Sequence, residues 1–236
     1  FPVETLRAAA ALGMGAITVR EDVGGSALSR VDSAVIFEAL AEGCPTVAAF
    51  LAIHNLTAGI LDRFGSEAQR RAWLPRLATM ETVASYCLTE PGSGSDAGSL
   101  RTTAVADGDG WRITGTKQWC TNGSHASTFL LFARTDAQTV GARGVSAFLL
   151  GPEHVEVTRE EEKLGLNSSS TVDLVIEGAQ VGRDRLLHEE GRGFAIAMST
   201  LDGGRIGIAA QALGIAQAAY DVARAYAKER RTFGKR

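Results

Sequence analysis

Cysteine is scarce in this 236-residue chain: Cys44, Cys87 and Cys120 are odd in number, far apart and without CxxC spacing. That excludes a disulfide framework and a cysteine zinc site, and it fits reduced thiols. Histidine is nearly as sparse. His54, His125, His154 and His188 show neither HxxxH nor HExxH spacing, so no metal site is expected. A dominant charge is missing too: the formal net charge is −3, which supplies no concentrated positive field for a nucleic acid. No apolar run reaches the roughly 18 to 20 residues needed to span a bilayer, and Phe1 opens a globular pattern with no basic leader. A soluble chain without nucleic-acid or membrane partners is the expectation.

What is present divides by period. From Val3 to about Thr82 apolar residues recur at three- and four-residue steps, the spacing of helices. In "SRVDSAVIFEALAEGC" Ser29 or Asp32 can cap the start and Gly43 suits the stop; in "SEAQRRAWLPRLATM" Ser66 and Gln69 have capping-box spacing. After Glu81 the period becomes two. "TTAVADGDGWRITGTKQWC" reads as a hairpin turning at Asp107-Gly108-Asp109-Gly110, and "STFLLFAR", "GVSAFLL" and "STVDLVIEGA" add strands without crossover helices, which predicts a largely antiparallel sandwich or barrel. From Gly193 the helical period returns, ending in a run with Arg224, Lys228, Arg230, Arg231, Lys235 and Arg236 against only Asp221 and Glu229. That basic run suits either an anionic contact or a solvated helix end.

The loop "YCLTEPGSGSDAG", Tyr86 to Gly98, invites a phosphate-binding reading that its spacing defeats. Its glycines miss G-x-G-x-x-G by one residue, the strand-like "RTTAVAD" follows where a helix is required, and Gly-Lys-Ser/Thr is absent. Successive small residues can still form a backbone nest for an anion. Thirty residues on, "KQWCTNG" ends the next long strand. Thr89, Trp119 and Thr121 on two neighbouring strand ends can give a flat ring a stacking face and hydrogen-bond donors; equally, Trp119 can be core and the threonines mere strand residues.

Taken together, "YCLTEPGSGSDAGSL", "KQWCTNG", "LDGGRIGIAAQALGIAQ" and "ERRTFGK", in this order, resemble the acyl-CoA dehydrogenase family of flavoproteins across essentially the whole chain. The stretch from Phe1 to Cys44 and the Gly-Gly of "LDGGR" look most like the members acting on isobutyryl-CoA, with butyryl-type short-chain members close behind.

The resemblance implies an α+β multidomain fold: an N-terminal helical domain over 1–84, a middle antiparallel β-barrel over 85–190, and the start of a C-terminal helical bundle over 191–236, so that the chain is expected to be a fragment. It implies FAD, lined by Tyr86, Cys87, Leu88 and Thr89, with Trp119 and Cys120 against the ring and Thr121 near N5. Ser95 would reach cofactor and CoA, Asp202, Gly203, Gly204 and Arg205 would lie beside the acyl and pantetheine part, and Arg230 would reach the FAD of a neighbouring subunit. The activity implied is α,β-dehydrogenation of a short branched acyl-CoA in fatty acid and branched-chain amino acid metabolism, by a homotetramer that reduces electron-transfer flavoprotein. Butyryl-CoA or 2-methylbutyryl-CoA is the alternative substrate, and a non-catalytic scaffold binding flavin or acyl-CoA the alternative role.

Two departures stand out. No glutamate occupies either position the family uses for its catalytic base: the usual one falls beyond Arg236, and Gly204 fills the alternative one. Glu90 matches a residue that is structural in the family. The Ala- and Arg-rich usage points to a bacterial cytoplasm, with a mitochondrial matrix as the alternative.

Overall fold

The structure is a computed structural model that describes residues 1–139 and 141–235; Val140 and Arg236, the last member of the basic run, lie outside the described residues. Four helices come first: α1 (Val3–Ala11), α2 (Arg30–Gly43), α3 (Pro45–Phe64) and α4 (Glu67–Ala78). Eight strands follow, β1 (Val83–Cys87), β2 (Thr103–Asp107), β3 (Gly110–Thr121), β4 (Ala126–Arg134), β5 (Val145–Leu150), β6 (Glu156–Glu160), β7 (Thr171–Gly182) and β8 (Leu186–Leu187), and then the 37-residue α5 (Gly193–Glu229).

The capping box expected at Ser66 forms, and of the two candidate caps of α2 Ser29 is the one used, in a second box that Asp32 completes. Ser29 caps α2, with Asp32 reaching back to its backbone N–H at 2.9 Å, and Ser66 caps α4 with Gln69 returning the bond at 2.9 Å. The Gln69 amide also donates to the Asp184 and Leu186 carbonyls at 2.7 and 2.9 Å, so one cap fastens helix to sheet. Gly43 is not the stop it was expected to be: it is the last helical residue of α2 and has no left-handed backbone. The stop is Cys44, extended at φ −155°, because Pro45 forbids it a helical backbone and itself opens α3.

The sheet pairs in the order β6-β7-β3-β2-β4-β5-β8, antiparallel except that β1 lies parallel to β4 and β2 meets β4 through one parallel pair. β2 and β3 turn at Gly108-Asp109, with Gly108 at φ +57°. The sheet curls on itself. Trp111 of β3 and Phe148 of β5, not neighbours in the ladder, meet edge to face at 5.8 Å inside a core shared with Phe129, Leu131, Val172 and Leu174. On the other face of β4, Leu130 and Phe132 join Leu61, Leu74, Leu77 and Ile196 in the core between barrel and helices.

α3 is long and apolar enough, by length and hydropathy, to cross a bilayer, which the search for unbroken apolar runs missed. Here it is the central core helix, and its buried polar residues are all engaged. His54 is fully buried; its Nε2 donates to the Leu77 carbonyl at 2.9 Å and its Nδ1 accepts the Ala84 N–H at 3.1 Å, tying α3 to α4 and β1. Both nitrogens are used by the neutral ring, and burial pushes its pKa down to about 4.

The folded state therefore holds fewer protons than the unfolded chain between about pH 4 and the ordinary histidine value of 6.5. Stability from this site is complete above that window and falls as pH drops through it, by about 3 kcal/mol in all. His54→Gln, whose amide can donate and accept in the same places, is expected to flatten that part of the pH dependence; urea midpoints of the two proteins from pH 7 to pH 4 check it, and parallel curves would refute it.

Candidate functional site

β3 carries the site because its alternation breaks. Trp111 and Ile113 point into the barrel, Arg112 and Thr114 out, and the same phase sends Lys117 inward. It would bury residue 119 next. Instead the ladder slips: Lys117 pairs with Leu174 and Cys120 with Val172, three steps on β3 against two on β7. The extra residue is a β-bulge, and it moves every later side chain to the opposite face. Trp119, at φ +58°, is turned out and 58% exposed, while Cys120 takes the inner position. Asn122, also left-handed, ends the strand, its buried amide donating to the Ala84 carbonyl at 3.0 Å.

β1 runs out beside this bulge. The Gln118 N–H donates to the Thr89 carbonyl at 2.8 Å, and the Ser85 hydroxyl to the Thr121 carbonyl at 2.7 Å. Beneath them lies a buried ion pair. Lys117 Nζ donates to Glu90 Oε1 at 2.7 Å and to the Leu88 carbonyl at 3.2 Å. The same carboxylate accepts the Arg101 and Thr102 N–H groups at 2.6 and 2.9 Å and the Thr102 hydroxyl at 2.5 Å. Burial alone would raise the Glu90 pKa, but Lys117 and these donors outweigh it and hold the carboxyl below its usual range. Burial pulls the Lys117 ammonium down, with Glu90 opposing. Glu90 is thus an engaged anion with no oxygen free for proton transfer.

The loop that follows is closed by its own backbone and, at the Gly98 carbonyl, by the Arg134 guanidinium at 2.8 Å. Glu90 and Ser93 exchange both backbone bonds at 3.0 Å around Pro91-Gly92, and Ser93 and Ser99 donate to the Asp96 carbonyl. No residue of 86–98 is left-handed, so the alternating right- and left-handed geometry of one kind of anion nest is absent from this loop.

The expected site residues therefore separate. Thr89 and Thr121 are half-buried beside the exposed Trp119. Cys87 and Cys120 point their side chains into the barrel core and offer only backbone to the outer surface. Tyr86 and Leu88 face the helical core, Tyr86 with its ring 5.2 Å from Phe132, its hydroxyl buried without a partner and its pKa raised by that burial. Ser95 is exposed on the loop. Arg230 closes α5 with its guanidinium 3.0 Å from the Tyr226 hydroxyl. Lys117 was overlooked, although a lysine in the inward phase of "WRITGTK" was a signal that something anionic waits inside the barrel.

A second feature lies between α2, α3 and α5, a cavity of about 420 Å³ walled by Phe37, Leu56, Ile60, Gly203, Gly204 and Gly207. Gly203 and Gly204 face it. Asp202 and Arg205 instead pair with each other at 2.7 Å on the exposed side of α5. A Cβ on Gly203 would meet the mobile end of Arg30 at 2.7 Å, one on Gly204 the Leu56 methyl at 3.3 Å. Among the described residues no cluster of three His, Cys, Asp or Glu side chains is placed to hold a metal.

Three sequence models match in series: the N-terminal, middle and C-terminal domains of acyl-CoA dehydrogenase, over residues 1–81, 85–179 and 191–236. The chain belongs to the acyl-CoA dehydrogenase family. It is similar to the mitochondrial isobutyryl-CoA dehydrogenase of Dictyostelium discoideum, 46% identical over all of this chain and 57% of that protein. Among solved structures it is similar to butyryl-CoA dehydrogenase from Megasphaera elsdenii, 37% identical with a TM-score of 0.94 over 98% of this chain and 62% of that one. It also resembles PigA with FAD and proline, 29% identical with a TM-score of 0.94 over 99% and 62%. The chain thus spans about three fifths of the length of the acyl-CoA dehydrogenase relatives it matches.

The two tryptophans of β3 make the geometry testable without any ligand. Trp119→Asn, which suits a left-handed backbone, is expected to change the unfolding free energy of the full-length, ligand-free protein by less than about 1 kcal/mol, whereas Trp111→Ala costs about 3 to 5 kcal/mol. Denaturant titration checks it; equal losses would mean that Trp119 is a core residue.

Proposed function

We propose that this chain is the flavin- and acyl-CoA-binding part of an acyl-CoA dehydrogenase that oxidises a short branched acyl-CoA of the isobutyryl type. The observation that carries the proposal is the platform of Thr89, Trp119 and Thr121, where a strained, outward-facing tryptophan lies near two half-buried threonines whose hydroxyls make no hydrogen bond among the described residues. A left-handed tryptophan costs about 1 to 2 kcal/mol, and an aromatic face flanked by donors suits a flat heteroaromatic ring with polar edges. These residues fit the isoalloxazine of FAD. Trp119 supplies the stacking face, Thr89 and Thr121 the donors at its edges, and the backbone of Tyr86, Cys87, Leu88 and Cys120 the walls; Ser95 reaches toward the CoA chain, and Arg230 serves a neighbouring subunit of a tetramer.

Bound there, FAD supplies the two-electron acceptor that α,β-dehydrogenation of a thioester requires. The chain's own work is to bind and orient. The backbone that carries its hydroxyls is held at the Thr89 and Thr121 carbonyls before anything binds, which limits reorganisation as charge develops. Proton removal from the α-carbon is not assigned to this chain: Gly204 offers no side chain at the alternative position, where a larger residue would press on Leu56, and Glu90 is engaged. We place the base in the remainder of the protein. The substrate reading draws on the isobutyryl-CoA dehydrogenase likeness and on the room left by Gly203 and Gly204. Electron-transfer flavoprotein is the proposed acceptor, and the free, buried Cys87 and Cys120 suit a reducing cytoplasm or matrix.

The full-length protein is expected to purify with FAD and to lose its flavin absorbance faster with isobutyryl-CoA than with butyryl-CoA. The reverse preference would overturn the branched assignment, and a flavin that neither compound bleaches would favour a binding scaffold. Trp119→Ala is expected to weaken FAD binding by about tenfold or more, on the scale of a lost aromatic stacking contact.

A further inference from the structure

We propose that the buried Lys117–Glu90 pair is a register lock: it fixes the bulge in β3 that turns Trp119 out of the barrel, and so acts as a positioning element for the flavin platform. The proposal rests on the functional reading above for what the platform holds, but its geometric core concerns only the protein.

Lys117 is the last residue of β3 in the original phase and the first whose burial demands a partner. Its side chain is 0% exposed and that of Glu90 6%. Without the bulge, Trp119 would follow Lys117 into the barrel, and a large aromatic ring gains more from that interior than from solvent. Something must oppose that gain. Where the slip begins, three bonds from β3 clasp three consecutive residues of the 88–90 segment: the Lys117 ammonium holds the Leu88 carbonyl and the Glu90 carboxylate, and the Gln118 N–H holds the Thr89 carbonyl. Glu90 cannot follow a sliding strand, because Arg101, Thr102 and the Ser93 exchange fix it from the far side. A one-residue slip of β3 that straightened the bulge would drag Lys117 off Glu90 and leave both charges buried and unpaired.

A buried ion pair adds little net stability, since desolvation offsets its attraction, and an apolar pair of similar volume often does as well. Its best-attested use is to specify one register among several. The pair here is suited to that use: it sits at the register shift that immediately precedes Trp119, where in-register and slipped pairings place that ring on opposite faces.

The test compares the full-length protein with the double variant Glu90→Gln/Lys117→Met, which leaves no lone buried charge. Acrylamide quenching of tryptophan fluorescence in the flavin-free proteins, with Trp119→Phe subtracted, reads how far Trp119 is exposed; FAD titration reads the platform. The double variant is expected to unfold cooperatively, to lose about two thirds of the quenching due to Trp119, and to bind FAD about tenfold or more weakly. A folded double variant whose Trp119 quenching stays within about twofold of wild type overturns the lock, whatever its FAD affinity. Should the double variant not fold, Thr102→Ala, which loosens Glu90 without stranding a charge, decides instead: reduced Trp119 quenching supports the lock and unchanged quenching overturns it. Wild-type protein that fails to bind FAD would sink the functional reading, and the quenching series would still judge the register.

Discussion

A β-strand can show a large ring to solvent and keep its other residues in a core only by breaking its own alternation. In β3 that break is the bulge between Lys117 and Cys120, and the geometry of the site hangs on it. Before the bulge, Trp111 and Ile113 fill the barrel; after it, Cys120 does. Between them one residue faces outward in a backbone conformation that suits glycine or asparagine better than tryptophan. The strain is local, whereas its support is distributed: Gln118, Lys117 and Asn122 each bond to a different carbonyl of the β1 segment, at Thr89, Leu88 and Ala84.

β1 is itself held from the helical side. His54 of α3 accepts the Ala84 N–H, so Ala84 is fixed through its N–H by α3 and through its carbonyl by Asn122. Gln69 ties the start of α4 to the chain entering β8. The helices therefore set the floor on which β1 and β3 meet, and the platform inherits its rigidity from a core that excludes water on both sides. This is the arrangement that preorganised binding requires, with the platform carried on fixed strand ends.

Legibility in the sequence followed the range of the forces involved. Caps, the Gly108 turn and the change from helical to strand period depend on residues three or four apart, and they were readable; so was the family likeness, which depends on the order of four motifs. The bulge was not readable from alternation, because "TGTKQWC" continues a regular period until tertiary contacts from 88–90 interrupt it. The same limit explains Gly43, where a glycine at a helix end suggested a stop that the following Cys44-Pro45 makes by steric exclusion. It explains the glycine-rich loop as well. Composition allowed a nest, but paired backbone bonds between Glu90 and Ser93 made a closed turn instead. The exposed strand β6 carries no inward face at all, so no burial period marked it.

The glycines of α5 show how one residue type serves two ends on a single helix. At Gly214 an added Cβ would lie 2.1 Å from the Glu38 carbonyl; the glycine is there so that α5 can press against the backbone of α2, and any side chain would part the helices. At Gly204 the nearest atom is a leucine methyl at 3.3 Å, and at Gly203 the flexible end of an arginine, so there the absence of side chains leaves space without being needed for contact. α5 is thus pressed close at Gly193, where a Cβ would lie 2.4 Å from the Ser146 backbone, and at Gly214, and left open between them at Gly203 and Gly204. The opening is walled by Phe37, Leu56 and Ile60, and Ile196 and Ala197 at the start of α5 are set in the core that backs β4. A helix fixed at both its barrel end and its α2 contact holds that space open between the two.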